Sequence, residues 1–355
     1  MSRVLAYSVI TAAVAAVLAT SVRPAAAQVY PERITIVAKA RAAAASGYQR
    51  RSDEREEQTE RQTRMLKLGA NGVLALGNIA GDIVITRANG SETTVEIVKT
   101  ARGRDVNDAR EQLALVTVEV TERAGRADVR THYPNGEEAR HANRRNLSTS
   151  VSYNVSAPAG TRISVESISG SVKVTDIKGD VSVNTVSGDV RIAGAGRVNA
   201  AKTISGSVEI TDAQVEGALE SSSVSGDVTL RRVSARRIEA GSVSGNIKLD
   251  ELQCERVTAN STSGGVSFAG TLARNGHYEL KSFSGEVRLY LSGGNGFEVD
   301  ANSFSGDVRS DFDIVTHGSQ TTKRGRRNVL SGTFGDGSAV LDLTTFSGSI
   351  IISKR

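Results

Sequence analysis

The sequence predicts an all-β protein, a single-chain β-solenoid of about nine to ten coils of 18–21 residues with a small α+β cap at its N-terminal end. Three observations predict it. An eight-residue phrase (Ser/Thr, apolar or once Thr, Ser, Gly, any residue, Val/Ile, any residue, usually apolar) occurs nine times, starting at Ser167, Thr185, Thr203, Ser223, Ser242, Ser261, Ser282, Ser303 and Thr345. Its glycines follow one another at 18, 18, 20, 19, 19, 21 and 21 residues and then at 42, which is two periods of 21. Apolar residues alternate with period two on either side of each phrase, as in strands with one buried face. The parity of that alternation changes inside the phrase, so the chain turns a corner there.

The N-terminus reads as a signal peptide over residues 1–27. Arg3 is a basic n-region, Val4 to Leu18 is apolar, and Ala25-Ala26-Ala27 offers a small-residue cleavage site. The apolar run is short for a membrane span of about 20 residues, which weighs against an uncleaved anchor. No later stretch is apolar enough to cross a bilayer. The mature chain is therefore expected to be exported to the periplasm or cell surface, with no transmembrane span after cleavage. Losing Arg3 and Arg23 takes the formal charge from +5 to +3. That is mild for this length and gives no reason to expect nucleic acid. Trp is absent and aromatics are 4% of the chain, which disfavours platforms that stack sugars or bases. The single Cys254 excludes an intramolecular disulfide and reads as a small semi-buried side chain.

Residues 28–64 are expected to be a disordered charged linker, because the run from Arg50 to Arg64 has too little apolar surface to offset its ordering entropy. Residues 65–147 are expected to be the cap. Gly81 to Ile85 is a degenerate first coil, Val95 to Val98 a strand, and Asp105 an N-cap for a helix whose Val106, Ala109, Leu113 and Ala114 share one face. Val116, Val118 and Val120 then alternate, as do Ala127 and Val129. The polar stretch 134–147 is a loop. A solenoid needs such an atypical end to cover its core and strand edges.

Residues 148–355 are expected to be the repeat array. In Val181 to Ile192, Val181, Val183 and Thr185 share one parity and Val186, Gly188, Val190 and Ile192 the other, which places the corner between Thr185 and Val186. The leading Ser/Thr then points inward, into a ladder whose neighbours are the same hydroxyl and the backbone one coil away. The glycine also faces inward, where a side chain would crowd the corner or the torsions are unusual. The late core gains Phe283, Phe297, Phe304 and Phe346. The middle Ser faces outward, and so does the residue after Gly, giving a polar stripe. The 42-residue spacing implies an irregular coil, read as a loop insertion at 310–337 that carries Lys323, Arg324, Arg326 and Arg327.

The phrase Ser-Ala-Pro-Ala-Gly-Thr-x-Ile-x-Val at 156–165, the repeated Val-Ser-Gly-Asp-Val and the closing Leu-Thr-Thr-Phe-Ser-Gly-Ser-Ile resemble the bacterial adhesin-like domain family DUF4097, over roughly residues 66–355. The resemblance implies an exported β-solenoid and transfers no ligand or catalytic residue. Some relatives are associated with envelope-stress signalling.

Three functions are weighed on these residues. The favoured one is a non-enzymatic envelope interaction or structural module, adhesin-like, whose partner is an unknown envelope protein or glycan. Its candidate binding residues are the basic run Lys323, Arg324, Arg326 and Arg327 and the stripe positions Asp189, Asp227 and Asp307. The second is a polysaccharide-active β-helix enzyme using that acidic stripe, where Ser207 and Asn246 interrupt the row. The third is an envelope-stress sensor acting through a membrane partner. His132, His141, His277 and His317 lack ligand spacing, so no metal or other cofactor is expected. The oligomeric state is left open.

Overall fold

The computed structural model describes residues 55–134, 147–316 and 328–355. The predicted signal peptide and residues 28–54 of the predicted linker lie outside the described residues. The first strands are β1 (Glu56–Leu66), β2 (Val73–Ala80), β3 (Ile83–Arg87) and β4 (Thr93–Gly103); helix α1 (Val106–Leu115) follows, then β5 (Thr117–Arg123), β6 (Arg126–His132) and β7 (Thr149–Ala157). From there the chain repeats a pair of strands. The pairs are β8 (Arg162–Ser169) with β9 (Val172–Thr175), β10 (Asp180–Ser187) with β11 (Val190–Ala193), β12 (Arg197–Ser205) with β13 (Val208–Thr211), and β14 (Gln214–Ser225) with β15 (Val228–Arg231). They continue with β16 (Ser234–Ser242) and β17 (Ile247–Asp250), β18 (Gln253–Ser261) and β19 (Val266–Gly270), and β20 (His277–Ser282) and β21 (Val287–Leu291). The chain closes with β22 (Phe297–Ser303), β23 (Val308–Ser310), β24 (Val315–Thr316), β25 (Val329–Phe334), β26 (Ala339–Thr345) and β27 (Ile350–Lys354).

The first strand of each pair joins a 14-stranded sheet and the second a 13-stranded sheet. Each coil is thus two strands and one corner, and successive coils pair in parallel, as Val181 with Val198 and Val190 with Val208. The inward residues of both sheets form one core: Val181, Val183 and Val190 are fully buried and Ile192 is nearly so. Burying each such side chain contributes about 1.5–3 kcal/mol. β2 and β3 stack directly on β8 and β9, so residues 73–87 are the first full coil and residues 88–161 intervene in the chain before the second.

Asp105 caps α1 as expected, accepting from the Asp108 N–H at 2.8 Å. Residues 56–64, expected to be disordered, are strand. β1 pairs antiparallel with β4 from Glu56↔Gly103 to Leu66↔Thr93. The polar composition does not prevent this, because an edge strand needs no apolar side chains of its own. The backbone ladder holds it, charged residues keep its outer edge from pairing elsewhere, and Arg61–Glu96 and Arg102–Glu57 ion pairs fasten it.

The far end of the stack is not in chain order. β26 lies between β20 and β22, and β27 lies between β21 and β23. The last coil in the sequence is therefore the ninth in space, slotted beneath the coil formed by β22 and β23. The doubled glycine spacing reflects this intercalation and not a hidden irregular coil. The expected loop 310–337 is also partly strand: β25 pairs antiparallel with β22, and β24 with β25. Phe297, Phe312 and Phe334 cluster with ring centroids 4.9–5.4 Å apart, Phe312 edge-on to the other two, and plug the core there.

Candidate functional site

The corner is the densest repeated feature. A Cβ on Gly188 would lie 2.2 Å from the Gly170 carbonyl oxygen, and one on Gly226 or Gly348 would lie 2.1 Å from that of Gly206 or Gly285. Each corner backbone thus rests on the glycine carbonyl one coil away, closer than any side chain allows. Gly170, Gly188 and Gly206 in addition have φ of +124, +140 and +152°. The leading hydroxyl reaches the same carbonyls: Thr203 Oγ1 donates to Gly188 O at 3.1 Å, Ser223 Oγ to Gly206 O at 2.8 Å, Ser242 Oγ to Gly226 O at 3.0 Å and Thr345 Oγ1 to Gly285 O at 2.9 Å. The inward hydroxyl row is present; from Thr203 onward its partner is the glycine carbonyl of an adjacent corner, while Ser167 and Thr185 are buried without one. In the first coil Asn78 takes the hydroxyl's place. Its Nδ2 donates to Gly81 O and Val151 O, and its Oδ1 accepts from Thr131, which in turn accepts from the buried Tyr153 hydroxyl.

The polar stripe after the glycines also serves the stack. Asp189 accepts from the Ser207 N–H at 3.0 Å, Asp227 from the Asn246 N–H at 2.8 Å, and Asn246 from the Gly265 N–H at 2.9 Å. Asp189 and Asp307 are ion-paired to Arg191 and Arg309 at 2.8 and 3.0 Å, and Asp227 lies 3.7 Å from Lys248. The coil of Ser207 separates Asp189 from Asp227 by two steps, roughly 10 Å of backbone. Asp307 lies at the far end, beyond the coil of Ser349. The three aspartates are not brought together. Lys323, Arg324, Arg326 and Arg327 lie outside the described residues, as do His141 and His317.

The corner lies later than the alternation suggested. In the coils of β8, β10, β12 and β14 the first strand continues through the middle serine of the phrase, so Thr185 is buried, Val186 and Ser187 are exposed, and inward parity resumes at Val190; in the later coils the strand ends on the leading hydroxyl residue. The switch falls at Ser187–Gly188. The apolar second position, expected inward, therefore faces out in every coil: Ile79, Ile168, Val186, Ile204, Val224, Val243, Thr262, Phe283, Phe346 and Phe304, in spatial order. Ile168, Val186 and Ile204 are 51, 44 and 42% exposed, and Phe283, Phe346 and Phe304 are 57, 45 and 72% exposed. Of the phenylalanines expected in the core, only Phe297 is there. The other three stack face to face, with Phe283–Phe346 centroids 4.9 Å apart and Phe304–Phe346 centroids 4.6 Å apart. Sequence reasoning missed this ridge, although its apolar residues directly before an outward serine row could have revealed it. At the opposite end, a groove of about 450 Å³ opens beside Ile79, Ile168 and Val186, with Arg130, Thr131 and His132 of β6 also lining it.

Other reactive groups are set aside by their surroundings. Burial pushes the Cys254 thiol up to about 12, far from a thiolate nucleophile. A side-chain hydrogen bond from Arg232 holds the Asp212 carboxyl below the usual range. Among the described residues no group of three His, Cys, Asp or Glu side chains is arranged to hold a metal ion, and no helix is long and apolar enough to cross a membrane.

Two parallel-dominated sheets, a hydroxyl–glycine corner and self-satisfied polar rows define a stacked-coil β-solenoid. The chain belongs to the Toastrack DUF4097 family, whose family model matches residues 74–353. It is similar to the crystal structure of a proposed adhesin from Parabacteroides distasonis, with 10% identity, 82% of this chain and 97% of that one covered, and a TM-score of 0.45. A proposed adhesin from Bacteroides fragilis gives 15% identity, 83% and 97% coverage and a TM-score of 0.41. A proposed lipid-binding protein from P. distasonis gives 13%, 83%, 97% and 0.40. No curated protein matches the chain.

Proposed function

We propose that the chain is a non-enzymatic, exported interaction module of the cell envelope, adhesin-like in that it presents a surface to an envelope protein or glycan. One observation carries the reading: the repeated polar groups are engaged in holding the stack. The leading hydroxyls from Thr203 onward bond glycine carbonyls, and Asp189, Asp227 and Asn246 bond the next coil's N–H groups. A scaffold of that kind offers rows of outward side chains for contact. The basic run Lys323, Arg324, Arg326 and Arg327, which falls in the sequence between β24 and β25, supplies cationic chemistry suited to an anionic glycan or protein surface.

The test is co-sedimentation of the chain with isolated cell-envelope fraction, alongside a variant carrying Ser at those four basic positions. Substitution is preferable to removal of 310–337, which would take away β25 and expose the core. Saturable binding by the parent chain, reduced at least about tenfold in the variant, supports the reading. An absence of binding at any salt concentration refutes it, and recovery of the chain in the cytoplasm of the producing cell refutes export.

A further inference from the structure

The ridge carries an inference of its own, independent of the envelope reading. Its ten rungs, about 4.8 Å apart, make a strip about 45 Å long. With the outward serine row beside it, the strip offers on the order of 700 Å², close to the about 800 Å² per partner of a stable interface. The two ends differ in kind. One carries a protruding stack of three exposed rings, Phe283, Phe346 and Phe304. The other carries the groove beside Ile79, Ile168 and Val186.

A knob and a hole on one strip are self-complementary when a second copy lies antiparallel across it. The rungs then pair as Phe304 with Ile79, Phe346 with Ile168, Phe283 with Val186, Thr262 with Ile204, and Val243 with Val224. In the three outer pairs a bulky ring meets a smaller aliphatic residue, and at the centre valine meets valine. We propose that this ridge is the interface of an antiparallel two-fold homodimer, with the phenylalanine stack of each copy seated in the groove of the other. The arrangement closes on itself, because both knobs are filled at once and no free patch is left to propagate a fibre. The acidic flank does not oppose it: Asp189 and Glu286, which face each other across the two-fold, are paired with Arg191 and Arg288, and Asp307, which faces Asp82, is paired with Arg309, while Asp82 accepts from the Ser171 N–H.

Light scattering on the purified chain should give twice the chain mass. Phe283→Ser/Phe346→Ser/Phe304→Ser should give a monomer with the same circular dichroism, the dimer dissociation constant rising on the order of a hundredfold or more. Mixed Ile204→Cys and Thr262→Cys proteins should cross-link to each other under mild oxidation. Neither should cross-link alone, since like rungs are three steps apart across the two-fold. A monomeric parent chain overturns the proposal, as does a triple variant that still dimerises. Self-cross-linking of Ile204→Cys, which marks a parallel pairing, or growth into polymers overturns it as well.

Discussion

Gly226→Ala tests the corner directly. The new methyl would sit 2.1 Å from the Gly206 carbonyl oxygen, 2.6 Å from its carbon and 3.1 Å from Ser207 N. All three atoms are backbone, locked between coils by the ladder on both sides, so nothing can rotate away. Overpacking typically costs about 1–3 kcal/mol. Here the upper end applies, because relief requires two coils to separate. That separation also lengthens the Ser223 Oγ–Gly206 O bond, now 2.8 Å, which contributes about 1 kcal/mol. The expected loss is about 3–4 kcal/mol. Gly241→Ala is the control. It lies in β16, one residue before Ser242, and its nearest neighbour to a new Cβ is the Ser222 Cβ at 3.8 Å. Relieving the backbone entropy of a strand glycine there should stabilise by about 0.5 kcal/mol. Denaturant unfolding followed by far-UV circular dichroism reads both, and amide exchange shows whether the loss is local to coils 206–245 or global. If the two variants unfold within about 0.5 kcal/mol of each other, the account of the glycine column is wrong.

Thr345→Val removes the bond to Gly285 O and should cost about 1 kcal/mol or more in urea melts. Thr185 is buried without a hydrogen-bond partner, so Thr185→Val should be neutral or stabilising. Burial raises the Tyr153 and Tyr278 phenols to about 12 from an ordinary 10. The unfolded chain releases those protons first, so stability from this source is intact below pH 10 and falls as pH climbs toward 12. Thermal melts across that window should show the decline, and Tyr278→Phe should flatten it. Cys254 should resist a disulfide reagent in the native chain at pH 8 and react on unfolding. Ending the chain at residue 335 removes β26 and β27 and should unprotect β22 and β23 as well in hydrogen exchange, because the missing coil is internal to the stack.

Coil count, strand polarity and the glycine column were legible because they are local and repeat every 18–21 residues, so each copy corroborated the others. The α1 cap at Asp105 was legible for the same reason, as a hydrogen bond closed within three residues. The ridge was misassigned by a shift of the corner from Thr185–Val186 to Ser187–Gly188. Alternation fixes which residues share a face and leaves open where the strand stops; the carbonyl contact at Gly188, a tertiary feature, decides that. β1 escaped because its stability resides in a ladder to β4, some 40 residues away, and not in its own side chains.

By itself, then, the sequence determined the repeating coil and its buried hydroxyls. The order of the coils at the far end belonged to the tertiary structure. Every coil presents the same parallel edge, Ser303, Thr345 and Ser282 being interchangeable rungs of one ladder, so no pattern within a coil says which neighbour it takes. That choice is made by long-range packing. β22 must lie at the edge to pair with β25 and to gather Phe297, Phe312 and Phe334 over the core, and the only place left for the last coil is the slot beneath it.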